Sequence, residues 1–155
     1  MTRAVVGNSE PLAAARHPTS ERVSLSAVTV TNKQQTLQAA LRNLADEPGV
    51  VGALLVSRDG IRVLEVWKRD MWNKETLSAM SATLMGAAEV ALSEGLGADR
   101  GGRVVAEIGK KRMAILGPTH EMLLVVIADA QVSFDRLLGL AEAASLVVHR
   151  TLSGA

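Results

Sequence analysis

Cysteine is missing altogether from the 155-residue chain, which excludes disulfide frameworks, thiolate metal sites and cysteine nucleophiles and fits a reducing compartment. Aromatic residues are almost missing too. Trp67, Trp72 and Phe134 amount to 2% of the chain and tyrosine is absent, so there are few platforms on which the bases of a single-stranded nucleic acid would stack. Charge of either sign is not in excess. Seventeen Lys and Arg against sixteen Asp and Glu supply no field to hold a polyanion or an anionic membrane. Apolar runs are short, none reaching the roughly 18 residues of a membrane span, and the N-terminal run Ala4 to Val6 is too brief for a secretory signal. The expectation is a soluble, cytoplasmic protein with neither nucleic acid nor membrane as partner.

What is present is aliphatic. Hydrophobic residues make up 48% of the chain, so its core is built from Val, Leu, Ile, Met and Ala, and the length suits one domain. Residues 1–31 differ from the rest, with Pro11, Pro18, scattered Ser and Thr and no lasting helical period, and read as a mobile N-terminal tail preceding a domain over 32–155. Within that tail, Val23 to Val30 is rich in β-branched residues with partial alternation, which suits an added strand.

Asn32 with Gln35 three residues on has the form of a capping box, and Leu37, Ala40, Leu41 and Leu44 follow as the stripe of a first helix stopped by Pro48 and Gly49. Val50 to Val56 carries no polar side chain and suits a strand covered on both faces. Asp59-Gly60 then signals a hairpin whose central residues tolerate positive φ, with Ile61 to Trp67 returning antiparallel and a slip of alternation between Val63 and Leu64 marking a bulge. Three further strands are expected in Arg103 to Ile108, Met113 to Leu116 and the apolar run Met122 to Ala128. Ser133 caps a last helix with Phe134, Leu137, Leu138, Ala141, Val148 and Leu152 on one face. The order α-β-β-α-β-β-β-α predicts an α+β fold, a five-stranded antiparallel sheet with the second helix on one face and the first and third on the other.

The second helix, Lys74 to Glu94, carries the most information. At 100° per residue Leu77, Met80, Leu84, Ala88 and Ala91 share one face, read as the sheet-facing one. Ala79, Ala82, Thr83, Gly86 and Val90 share the opposite face, and no residue from Thr76 to Ala88 is charged. A helix lying on a sheet needs one apolar face, so the second face is expected to meet another chain, its small residues letting two backbones approach closely.

Catalytic patterns are lacking. His17, His120 and His149 stand apart with no carboxylate at ligand spacing, there is no Gly-x-Ser-x-Gly elbow, and Gly109-Lys110 lacks the first glycine and the hydroxyl of a phosphate loop. The glycine-rich stretch Gly95 to Gly102 follows a helix and lacks the dinucleotide register, so it reads as a helix end and a crossing loop. Neither cofactor nor metal is expected. The Lys110, Lys111, Arg112 cluster lies by a hairpin tip, where it either discourages edge pairing or meets an acidic or phosphate-bearing partner.

Taken together, Leu41 to Leu44 leading into Pro48-Gly49-Val50, then Gly52-Ala53, Ser57-Arg58-Asp59-Gly60, the small-residue helix around Met80 to Glu89, the apolar strand Leu123 to Ile127 and Arg136 early in the last helix resemble the roadblock / dynein light chain family. Val132-Ser133-Phe134 departs from the Leu-Gly pair often found there. The resemblance implies a profilin-like sandwich that homodimerises through the second helix and third strand, here Ala79, Ala82, Thr83, Gly86, Val90, Val105 and Glu107. It also implies a non-enzymatic adaptor or regulator of a small Ras-like GTPase, of the bacterial and archaeal GTPase-partner type, with Arg100, Arg103, Lys110, Lys111 and Arg112 as candidate partner contacts. A purely structural subunit of a motor or signalling complex is the alternative. A small-molecule sensor fits the sheet but not the shortage of aromatic and polar pocket residues.

Overall fold

The structure, a computed structural model, describes residues 19–70, 73–99 and 101–154. Its elements run α1 Thr19–Asp46, β1 Val50–Ser57, β2 Arg62–Trp67, α2 Lys74–Leu96, β3 Arg103–Ile108, β4 Lys111–Leu116, β5 Met122–Asp129 and α3 Phe134–Ser153. The sheet order is β2-β1-β5-β4-β3 and every neighbouring pair is antiparallel. The two apolar runs, which fill β1 and β5 up to Ser57 and Asp129, are therefore adjacent and internal, where both of their faces leave water.

Alternation along these strands splits the core into two layers. Ala53, Leu55, Leu124, Val126 and Ala128 point to α1 and α3, joining Leu37, Leu41, Leu44, Leu137, Ala141 and Val148. Leu54, Val56, Leu123, Val125 and Ile127 point the other way, where Met85 of α2 and Ile115 meet them. Each large aliphatic side chain buried in this way contributes about 1.5–3 kcal/mol of transfer free energy. With α1 over β1 and β2, and α3 over β4 and β5, the helices divide between the faces as the strand pattern predicts.

The expected bulge is real. Leu55 pairs with Leu64 and Val56 with Arg62, leaving Val63 as the extra residue of β2. The preceding turn differs from the expected two-residue type: Gly60 alone takes positive φ (85°), its N–H donating to Ser57 O at 2.9 Å, while Ser57 N–H donates to Ile61 O at 2.8 Å. This is a three-residue loop closed by a left-handed glycine, which lets Asp59 keep an ordinary φ.

The first helix starts earlier than its sequence pattern predicts. It begins at Thr19, not at Asn32, so the Asn32–Gln35 capping box is not used and Val23 to Val30 is helix where a strand was an option. Once Leu37 to Ala45 is packed on the sheet, each further residue adds a hydrogen bond without a new nucleus. Thr31 and Thr36 also satisfy their hydroxyls on the carbonyls of Ala27 and Asn32, at 2.8 and 3.0 Å. Residues 1–18 of the expected mobile tail lie outside the described residues.

Candidate interaction surface

Among the described residues no three His, Asp or Glu side chains gather as a metal site would require, and no helix is long and apolar enough to cross a membrane. His120 and His149 do share a cleft with Arg58, Glu89, Thr119 and Ser153. Two of its groups hold loops together, while Arg58 Nε is buried without a hydrogen-bond partner. Arg58 Nη1 donates to both Glu89 oxygens at 2.8 and 2.9 Å, tying the β1–β2 turn to α2, and His149 Nδ1 lies 2.8 Å from Pro118 O.

Helix α2 is two-faced as expected, but turned from its expected setting. Asn73 caps it through its side-chain oxygen, 3.0 Å from Thr76 N, and the face against the sheet is Ser78, Ser81 and Met85, flanked by Leu77 and Ala82. Met80 and Leu84, read as sheet-facing, are 51% and 43% exposed, and Ala82, read as outward, packs on the core. Size is the reason. Two serines let the helix lie close to the strands, Ser78 Oγ donating to Lys74 O at 2.8 Å and Ser81 Oγ to Met113 Sδ at 3.9 Å, so no hydroxyl is left orphaned. Outward then lie Thr76, Ala79, Met80, Thr83, Leu84, Ala87, Val90 and Ala91, exposed and without a charge. Period alone missed Met80, Leu84, Ala87 and Ala91; Glu89, the charge that ends the neutral run, marks the true inner side through Arg58.

The sheet has two edges, and they differ. β2 is bulged at Val63 and guarded by ions: Glu65 accepts from Trp67 Nε1 at 2.7 Å, from Arg62 Nη1 at 3.2 Å and from Lys74 Nζ at 3.4 Å, while Arg62 also pairs with Glu75. Burial by itself raises the Glu65 pKa, but the indole N–H and the two cations outweigh it and hold the carboxyl below its ordinary 4.5. The unfolded chain therefore takes up this proton first on acidification. The Glu65 contribution to stability is complete above the ordinary carboxylate value and is lost as pH falls through the lower folded value. In urea titrations Glu65→Gln is expected to lower stability at about pH 7 and to lose less than wild type between about pH 5 and pH 3; equal losses would remove Glu65 from the account.

β3 is guarded less, its own charges Arg103 and Glu107 being drawn to Glu142 and Arg112 within the chain. It has neither bulge nor proline, its outer edge has no partner strand among the described residues, and Val105 and Ile108 are 42% and 84% exposed. Val104 and Ala106 face α2 as the alternation predicts, and Ile108, assigned to the same side, stands exposed at the rim of a hollow of about 240 Å³ that it lines with Leu77, Ala106, Lys111, Arg112, Met113 and Ile127.

The cations expected to meet a partner are mostly occupied. Arg112 pairs with Glu107, donates to Val132 O at 2.6 Å and lies 4.3 Å above the Phe134 ring, which makes it a structural pin. Lys111 pairs with Asp129 and Arg103 with Glu142. Arg100 lies outside the described residues. Lys110, at the turn, makes no ion pair among the described residues.

The sequence profile of the Roadblock/LC7 domain matches residues 36–128, which is more than half of the chain. The chain belongs to the Roadblock/LC7 family. Among solved structures, the gliding protein MglB of Thermus thermophilus superposes with a TM-score of 0.71 at 22% identity, over 79% of this chain and 93% of that one. MglB of Myxococcus xanthus gives 0.69 at 18% identity, over 77% and 96%. Profilin IB of Acanthamoeba castellanii gives 0.53 at 15%, over 76% and 98%, so the roadblock sandwich here is profilin-like in architecture. No curated protein sequence matches the chain. In this Roadblock/LC7 domain the uncharged outer side of α2 and the open edge of β3 are neighbours on one flank.

Proposed function

We propose that the protein is a non-enzymatic, cytoplasmic homodimer that binds a small Ras-like GTPase as an adaptor or regulator. The observation that carries the dimer is the pairing of an unbulged strand edge that has no partner strand among the described residues with a charge-free helix face beside it. Exposed Met80, Leu84, Val90, Val105 and Ile108 make that flank costly to leave in water, and the ion-guarded, bulged β2 edge makes the opposite flank unsuited to pairing. Two copies joined there continue one sheet across the pair and cover both helices.

The GTPase as partner is supported by family membership. Any effect on hydrolysis is positional, because phosphoryl transfer is governed by placement and charge stabilisation and because Arg103, Lys111 and Arg112 are already committed within the chain. That commitment also favours the second reading, a scaffold that binds without altering the rate. Purified Ras-like GTPases, loaded with GDP or a GTP analogue, are expected to co-elute with the protein, and single-turnover hydrolysis with and without it separates regulator from scaffold. Failure to bind in both nucleotide states would sink either form of the proposal.

A further inference from the structure

The β3 edge carries a pattern that fixes how two copies would meet, an inference that rests on the dimer proposed above. The β3–β4 hairpin closes on the pair Ile108↔Lys111 through two residues, of which only Gly109 has positive φ (59°), as in a type II′ turn. The closing pair of such a hairpin is hydrogen-bonded, and bonded pairs alternate. The N–H and C=O groups of Ile108, Ala106 and Val104 therefore serve β4, while those of Arg103, Val105 and Glu107 point outward from the edge.

Residues directly opposite in an antiparallel pair share a face. Across a two-fold axis normal to the sheet, odd residues of one copy can only face odd residues of the other, which puts the axis on a residue, and the three that keep most of β3 paired are Val104, Val105 and Ala106. Centred on Val104, Arg103 stands opposite Val105; centred on Ala106, Glu107 stands opposite Val105. Centred on Val105, the valines meet each other and Arg103 of each copy stands opposite Glu107 of the second.

These charges lie on the α3 side of the sheet, where Arg103 pairs with Glu142 and Glu107 with Arg112. Only the Val105 register joins the two intrachain pairs into an alternating ladder, Glu142–Arg103–Glu107–Arg112, which crosses between copies once and is repeated by the two-fold axis. On the other face it sets Val104 against Ala106, an apolar contact beneath the paired second helices. We infer that two β3 strands pair antiparallel about an axis at Val105, with Arg103 and Glu107 forming reciprocal ion pairs that select a second copy of this chain as partner.

The absence of native cysteine makes the register directly measurable. Opposed Cα atoms in a bonded antiparallel pair lie about 5.5 Å apart, within disulfide range. Air-oxidised Val105→Cys is expected to run as a covalent dimer on non-reducing gels, while Val104→Cys and Ala106→Cys stay monomeric. Glu107→Arg and Arg103→Glu are each expected to weaken self-association at least tenfold, and their equimolar mixture to form a heterodimer by native mass spectrometry at near wild-type affinity. A misfolded variant would not be rescued by mixing. Cross-linking at Val104 or Ala106 in place of Val105, or a mixture no tighter than its components, overturns the register while leaving the dimer. A wild-type chain that is monomeric in light scattering at high concentration overturns both.

Discussion

Gly86→Leu is expected to leave the chain folded and to split its dimer, raising the dissociation constant about a hundredfold, or about 2.7 kcal/mol. Gly86 stands on the outer flank of α2, and a Cβ built there meets no atom within 4 Å. Inside one copy the leucine therefore has room, and replacing glycine in a helix interior gains up to about 1 kcal/mol of helix stability. Between two copies the same side chain stands where small residues let the helix backbones approach, and overpacking of that kind costs about 1–3 kcal/mol. Gly86→Ala is the control, with a higher melting temperature and a smaller loss of association. Analytical ultracentrifugation beside thermal melts reads both effects. A Gly86→Leu protein that stays dimeric would show that this face of α2 does not meet the second copy.

Gly52→Ala has the opposite character, a loss inside the monomer of about 2–3 kcal/mol. Gly52 pairs directly with Trp67 across β1 and β2, and the indole lies flat on the glycine, so an added Cβ would stand 2.1 Å from Cε3. Backbone cannot yield there because Gly52 also pairs with Ile127 on its other side. The indole must swing out, which exposes its apolar surface and breaks its 2.7 Å bond to Glu65, the centre of the ionic guard on the β2 edge. Urea denaturation measures the loss and a red-shifted tryptophan emission reports the displaced ring. Wild-type stability together with wild-type emission would mean the ring is not seated on Gly52.

The strands, and which of them lie inside the sheet, are legible because each carries its own period. β1 and β5 are apolar at every position before their last residues, Ser57 and Asp129, and so had to be internal, and the slip at Val63 and Leu64 appears as a bulge at Val63. The stripe of α3 is legible for the same reason, its Leu137, Ala141 and Val148 all buried. For α2 the period was ambiguous, since uncharged residues surround the helix. Ranking by size put Met80 and Leu84 inside, whereas close approach to the sheet selected Ser78 and Ser81. The cations failed differently: Arg103 and Arg112 are exposed by type but occupied by partners 39 and 20 residues away in the chain, at Glu142 and Val132.

By itself the sequence determined which segments are helix and strand in the sheet domain, which strands lie inside, and that α2 has more apolar surface than one sheet can cover. These are properties of local period and composition, written within a few turns or strand residues. Only the tertiary structure decided which side of α2 turns inward, which sheet edge is guarded and which left open, and which cations are already paired. Each of those depends on distances between residues far apart in the chain, where a serine can win a buried position over a methionine because of how near the helix must come.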